Sequence, residues 1–431
     1  MERIYSSRWF HPAAAVIIAA SVLIVYSGTF HAAFQFDDIP QIVENDSLKD
    51  LSNIKTLLVQ NRGVSMASFA LNYAWGGLDV TGYHAVTVAV HLLASVLAYF
   101  LLCSLFTAAG AREVWARRVA FFSALLFAVH PVQTQAVTYI VQRMESLSGL
   151  FYILALLFFV RASTASTALK RTALYSGTVA AYVLGFYSKE SAVTMPAVML
   201  LADIFFISGK NIRGVLSRLP LYAVLFALLA FFLFQTIKPL GGIEALVRSP
   251  APAADSGGGA GAPAAQRNVQ PVYEGPSAGF SQTAITPKEY LYTQFNVLVY
   301  YVALLAVPVN QNLDYDYPVA RSLFKTPQVN AGTVLNLPPW PPVVSLFMLL
   351  CVTGLGVYLF LRSKGTSGAG IFVSFFIFWF FIILSPTSSF VPIIDVIYEH
   401  RLYLAALGPL TIFVICVDSL ATRLLASRGR G

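Results

Sequence analysis

Charge is what this sequence has least of. Only 11% of its 431 residues are Asp, Glu, Lys or Arg, against roughly 25% in ordinary soluble domains, while 57% are hydrophobic. That balance excludes an ordinary water-soluble fold. Cysteine is nearly absent. Cys103, Cys351 and Cys416 all fall in apolar stretches, where a thiol behaves as a small hydrophobe, so neither a disulfide framework nor a zinc site is expected. P-loop, dinucleotide-fingerprint, HExxH and GxSxG motifs are missing as well. Nucleotide-driven transport, soluble redox chemistry, zinc proteolysis and serine hydrolysis therefore lack their usual signatures. No solenoid-type repeat is visible, and no tetratricopeptide pattern follows the last apolar run.

Long apolar runs are abundant. A membrane helix needs roughly 20 mostly apolar residues, and such runs lie near 11–29, 84–108, 119–138, 147–161, 173–188, 191–207, 219–237, 342–361, 370–386 and 402–420. The first follows Arg3 and Arg8 without a small-residue cleavage site and reads as a retained anchor. A further stretch, 287–308, is long enough to span but is flanked by segments that look external, which suggests a re-entrant or interfacial helix. The expectation is one all-α polytopic membrane domain over 1–431, with ten or eleven spans. Its first external loop covers 30–83, and a Pro-, Ala-, Gly- and Ser-rich loop covers 238–286.

The net charge of +8 is spread over short connections rather than gathered in a patch, so it argues for topology and against a nucleic-acid partner. Arg112, Arg117 and Arg118, then Arg161, Lys170 and Arg171, then Lys210, Arg213 and Arg218 occupy alternate connections, which the positive-inside rule assigns to the cytoplasm. The remaining connections face outward and carry the acidic chemistry.

Asp37 and Asp38 directly follow the first span in FQFDDIPQIVEND. Partial desolvation at the outer surface would make either carboxylate a general base, while the plain alternative is a loop or helix cap. In AVHPVQTQAVTYIVQRMESLSGLF, His130, Arg143 and Glu145 gather where two apolar runs end. Polar groups at that depth face protein or water. Arg143 and Glu145 stand two apart and so share no helical face, and His130 before Pro131 also fits a helix break whose freed carbonyl satisfies the imidazole. Lys189, in a turn between two spans, suits a lipid phosphate as well as a snorkelling position. Near the end, Asp395, Glu399, His400, Arg401 and Tyr403 cluster in IIDVIYEHRLYLAALG. There Arg401 suits phosphate, and Tyr398 and Tyr403 suit interface anchors. Asp314 and Asp316, in VNQNLDYDYP, suit sugar binding or an ordinary polar loop.

Six blocks in order, FDDIPQIVEN, FALNYAWGGLDVTGYHAVTVAVHLL, HPVQTQAVTYIVQRMES, SKESAVTMPAVMLLADIF, NQNLDYDYP and EHRLYLAALG, resemble the membrane half of the transmembrane and tetratricopeptide repeat O-mannosyltransferases and their bacterial relatives within the GT-C superfamily. The resemblance implies a GT-C-like helical bundle that moves a sugar, such as mannose, from a polyprenyl-phosphate donor to a protein or glycan hydroxyl. It implies that Asp37 and Asp38 form the catalytic or metal-binding centre and that Glu145 joins them, although relatives more often have Asp there. A divalent metal, Mg or Mn, held by Asp37 or Asp38 with Glu145 is left open. Lys189 and Arg401 are implied as donor-phosphate ligands, with His130, Arg143, Asp314, Asp316, Glu399, His400 and Tyr403 as candidate substrate contacts. Family members usually carry repeats after the membrane part, and this chain shows none, so a protein acceptor is not assured. An O-antigen ligase or polymerase and a lipid or solute transporter are the alternative readings. The location expected is a bacterial inner membrane with the site facing the periplasm.

Overall fold

Within a bilayer no water satisfies backbone N–H and C=O groups, so the apolar runs close their hydrogen bonds internally as helices. The computed structural model describes residues 2–237 and 284–428, and its regular structure is helical. The protein is thus an all-α polytopic membrane protein. The principal helices are α1 (Phe10–Val25), α2 (Gly63–Gly76), α3 (Val80–Ala108), α4 (Glu113–Val129), α5 (Arg143–Ser163) and α6 (Ala168–Ser188). They continue with α7 (Met195–Ala202), α8 (Leu219–Ile237), α9 (Pro287–Ala306), α10 (Pro342–Arg362), α11 (Ala369–Leu384) and α12 (Leu407–Arg428). The loop expected over 238–286 lies, as far as residue 283, outside the described residues.

Local chemistry explains several boundaries. Asp79 accepts the Thr81 N–H at the start of α3, and Thr286 forms a reciprocal capping box with Glu289 at the start of α9. The run read as one span over 119–138 is broken. His130 leaves the helix in an extended conformation because Pro131 follows it, and the chain resumes at 52° to α4. The stretch near 191–207 is also irregular, with a 3₁₀ turn, α7 and a π turn in succession. The expected first external loop is not merely a loop, since it contains α2.

Hydrogen bonds sort the helix ends onto two faces. On one, Arg117 donates to the Tyr5 and Ser7 carbonyls, Trp115 and Arg118 reach Asp418, and Lys210 donates to the Phe360 and Ser363 carbonyls. These are the basic connections that the positive-inside rule assigns to the cytoplasm, and the opposite face is called outer on that expectation. On the other, Asp38 meets Val141, Arg62 meets Glu190 and the Ser65 hydroxyl meets the Ser188 carbonyl. Among the described residues six segments are long and apolar enough to cross a membrane, and the bent α4 pair is a seventh. Shorter apolar helices lie at α8, over Leu219–Gln235, and at α11.

α9 is not one of them. Tyr290 donates to the Thr387 carbonyl, Gln294 to that of Val396 and Tyr301 to that of Tyr398, while the Leu305 carbonyl meets His130. All these partners lie on the face that carries Asp38.

Candidate functional site at the outer face

The acidic pair sits on strained backbone. Phe36, immediately before it, has a φ of 45°, in the left-handed region where a side chain with a Cβ is disfavoured. The turn separates the two carboxylates. Asp38 is buried, at 1% exposure, and accepts from the Gln35 N–H at 3.0 Å and the Val141 N–H at 2.7 Å. Burial lifts its pKa to about 6, against the pull of those two N–H donors. Asp37 is exposed, and its own backbone N–H donates to the Tyr139 hydroxyl at 2.9 Å. A cavity of about 240 Å³ opens beside Asp38, lined also by Gln135, Tyr139, Gln311, Asn312 and Glu399.

The turn that Asp38 holds leads directly into α5. There Glu145 pairs with Lys189 at 2.7 Å and accepts from the Ser191 hydroxyl at 3.2 Å, while the Lys189 ammonium also donates to Gln142 at 3.0 Å. Burial pulls the Lys189 pKa down. Lys189, expected as a phosphate ligand, and Glu145, expected in catalysis or metal binding, thus neutralise each other. Arg143 points elsewhere, as its spacing from Glu145 requires. Its guanidinium is fully buried, donates to Thr87, Ser68, Asn72 and the Tyr83 carbonyl, and lies 4.7 Å from the Phe69 ring centre. With its donors spent inside the protein, it braces α2 and α3 against α5 rather than facing a ligand.

Arg62 escapes sequence reading altogether. It stands at φ 57° just before α2, and its Nε donates to both Glu190 oxygens at 3.1 Å. Asn61 donates to the same carboxylate at 2.7 Å. The only signal in the sequence is an Arg before a Gly inside a long polar connection, which does not announce a partner 128 residues away.

The late block contributes from the opposite side. Arg401 is buried and donates to the Asp395 and Val396 carbonyls at 2.7 and 3.3 Å, with its guanidinium 5.6 Å from the Tyr398 ring centre. His400 stacks on Tyr398 and meets Gln135 through both its backbone N–H and Nδ1. Glu399 accepts from Gln311 at 2.5 Å, from the Asn312 N–H at 3.0 Å and from the Tyr315 hydroxyl, and burial raises its pKa. Asp316 accepts from Asn330 and Thr333, and with Asp314 it lines a second cavity of about 400 Å³ that shares Asn312 with the first.

Two expected contacts lie away from the cavities. The His130 ring meets the Leu305 carbonyl at 3.0 Å and the Val132 N–H at 3.3 Å, so one nitrogen caps the turn after the helix break and the other ties it to the end of α9. Tyr403 is fully buried rather than an interface anchor. Its hydroxyl meets His91 Nδ1 at 2.9 Å, and its ring lies where a Cβ on Gly149 would come within 2.6 Å.

A divalent cation shared by Asp38 and Glu145 does not fit these residues, and a cation shared by Asp37 and Glu145 meets the same obstacle at Glu145, which Lys189 holds. Both Asp38 oxygens receive backbone N–H groups and Glu145 is neutralised by Lys189, and no three His, Cys, Asp or Glu side chains converge as metal ligands among the described residues.

No family model and no solved structure matches the chain. Curated proteins do. Protein O-mannosyl-transferase TMTC3 of Mus musculus is 27% identical over 211 residues, covering 46% of this chain and 22% of the relative. Protein O-mannosyl-transferase TMTC4 of Homo sapiens is 28% identical over 248 residues, covering 51% and 33%. Protein O-mannosyl-transferase tmtc2 of Xenopus laevis is 32% identical over 227 residues, covering 47% and 25%. The chain spans a third or less of the length of these relatives. Over about half of its own length, this chain is similar to protein O-mannosyl-transferases, in keeping with the GT-C resemblance carried by its six blocks.

Proposed function

We propose that this chain is a membrane glycosyltransferase that moves mannose from a polyprenyl-phosphate donor to a protein hydroxyl at the outer face. The observation that carries this reading is the division of labour in the acidic pair: Asp38 lines the cavity and is locked by two backbone N–H groups, and Asp37 stands exposed next to it in the chain. The names of the relatives supply the sugar and the protein acceptor.

In this reading Asp37 is the general base and Asp38 positions it. Asp37 takes the acceptor hydroxyl proton as the oxygen attacks the anomeric carbon. The new C–O bond forms as the bond from that carbon to the phosphate oxygen breaks, and the electron pair leaves on the polyprenyl phosphate. Attack opposite the leaving group inverts the anomeric centre. Phosphate is already a good leaving group, so one carboxylate suffices where a glycosidase needs two. Lys189 spends two of its three N–H donors on Glu145 and Gln142, which leaves one for the donor phosphate. Arg401, from the late block, is the second phosphate ligand in this reading. Glu399 lines the first cavity and Asp314 and Asp316 the second, where sugar and acceptor would sit, and His400 adjoins Glu399 in the chain. The membrane is a bacterial inner membrane with the cavity facing the periplasm.

The test is transfer by the purified, reconstituted chain from polyprenyl-phosphate mannose to a peptide acceptor, with Asp37→Asn and Asp38→Asn at matched folded yield. Transfer by wild type and its loss in Asp37→Asn support the assignment. Undiminished transfer in Asp37→Asn removes it as the base, and a wild-type protein inert with every lipid-linked sugar overturns the reading.

A further inference from the structure

A second site lies on the opposite face. Where the cytoplasmic ends of α3, α5 and α6 meet, a cleft of about 490 Å³ is lined by Thr107, Ala108, Arg161, Thr164, Lys170 and Leu174, among others, and no Asp or Glu lines it. Several cations on this face are already engaged within the protein. Arg117 is paired with Glu113, Arg118 with Asp418 and Arg218 with Asp203, and Lys210 is spent on two carbonyls. Arg161 and Lys170 are both exposed, and among the described residues neither has a side-chain ion pair or hydrogen bond. Arg213 is equally unpaired but lies outside the cleft, so what sets Arg161 and Lys170 apart is that they line one cleft together.

We infer that this cleft binds the phosphate of an anionic phospholipid of the inner leaflet. Arg161 stands two residues before the end of α5, where the apolar run gives way to the polar interface, so its guanidinium lies at headgroup depth. Ala108, Val160 and Leu174 offer an apolar wall to an acyl chain, which a soluble anion would not use. The Thr107 and Thr164 hydroxyls donate to the Cys103 and Arg161 carbonyls and keep acceptor lone pairs for a hydroxylated headgroup. A glycerol headgroup meets those acceptors, whereas choline brings a cation into a cleft already lined by two. Basic pockets between membrane helices on the cytoplasmic side are a recurrent form of acidic-lipid site.

The full chain in detergent is exposed to an equimolar mixture of phosphatidylglycerol and phosphatidylcholine, and retained lipid is read by native mass spectrometry. Wild type retains phosphatidylglycerol preferentially. Arg161→Gln with Lys170→Gln lowers that retention by roughly tenfold or more. The charge-preserving pair Arg161→Lys with Lys170→Arg keeps it, and so does Arg213→Gln, which removes a cation on the same face outside the cleft. Equal retention in the double Gln variant, an equal loss in Arg213→Gln, or wild type holding both lipids alike would each overturn the site. Release of phosphatidylglycerol by millimolar inorganic phosphate would reduce the cleft to a plain anion site and overturn the lipid assignment.

Discussion

The two faces of this protein use the same residue types to opposite effect. On the outer face three carboxylates are buried and each is answered from within the protein: Asp38 by backbone N–H groups, Glu145 by Lys189, Glu399 by Gln311, Asn312 and Tyr315. On the basic face the pair of Arg118 with Asp418 keeps 27% and 14% of its side-chain surface exposed, although Asp203 there is fully buried against Arg218. Charge matched and desolvated fixes geometry, whereas charge in excess and solvated fixes orientation. The contrast teaches that a charged residue in a membrane protein is informative according to what surrounds it rather than according to its type.

The comparison can be broken most sharply at Asp37. Loss of a general base costs on the order of 10²–10⁴ in rate, so Asp37→Asn is expected to lower single-turnover transfer by that factor while unfolding unchanged, because the side chain is exposed. A variant that unfolds early and transfers normally would move Asp37 from chemistry to structure. Next comes the buried pair. Lys189→Met leaves Glu145 charged and unanswered, with an expected loss of about 3–5 kcal/mol. The double variant Lys189→Met with Glu145→Gln recovers much of it, and denaturant unfolding in micelles measures both. A single variant as mild as an exposed pair would erase the difference between the faces.

Asp38 sharpens the comparison through pH. Its pKa stands near 6 in the folded chain against an ordinary 3.8, so between those values the folded state keeps a proton that the unfolded state has lost. Stability therefore falls as pH rises from about 4 to about 6, by an amount on the order of 1–3 kcal/mol. Asp38→Asn flattens that slope, and unfolding midpoints across the range test it. The smallest effect is expected on the inner face, where Arg118→Gln costs about 0–1 kcal/mol. A cost comparable to that of Lys189→Met would show that solvated pairs here are as decisive as buried ones.

Much of the architecture was legible in the sequence, because length and apolarity are read residue by residue. The all-α membrane class and the six long apolar helices follow from runs of apolar residues. Sequence spacing also separated Arg143 from Glu145, which indeed meet different partners. What stayed hidden depends on contacts between distant segments. Nothing near Lys189 announces that Glu145 will neutralise it, and nothing near Arg62 announces Glu190. Arg143 and Tyr403 read as candidate ligand contacts because polar residues in apolar surroundings attract suspicion. A guanidinium with four protein partners and a hydroxyl on a buried imidazole look the same in one dimension. The helix break at His130 was legible because Pro131 forces it locally, but the carbonyl that meets the imidazole is that of Leu305, far along the chain.

The grip of Asp38 on the Val141 N–H has a consequence for how this site is inherited. A backbone donor is supplied by every residue except proline, so position 141 can drift among apolar side chains without loosening the contact. The two positions therefore have no reason to change together over generations. Pairwise covariation, which tracks compensating side chains, would pass over a contact that anchors the acidic pair, and only Val141→Pro among single replacements there would withdraw the donor itself.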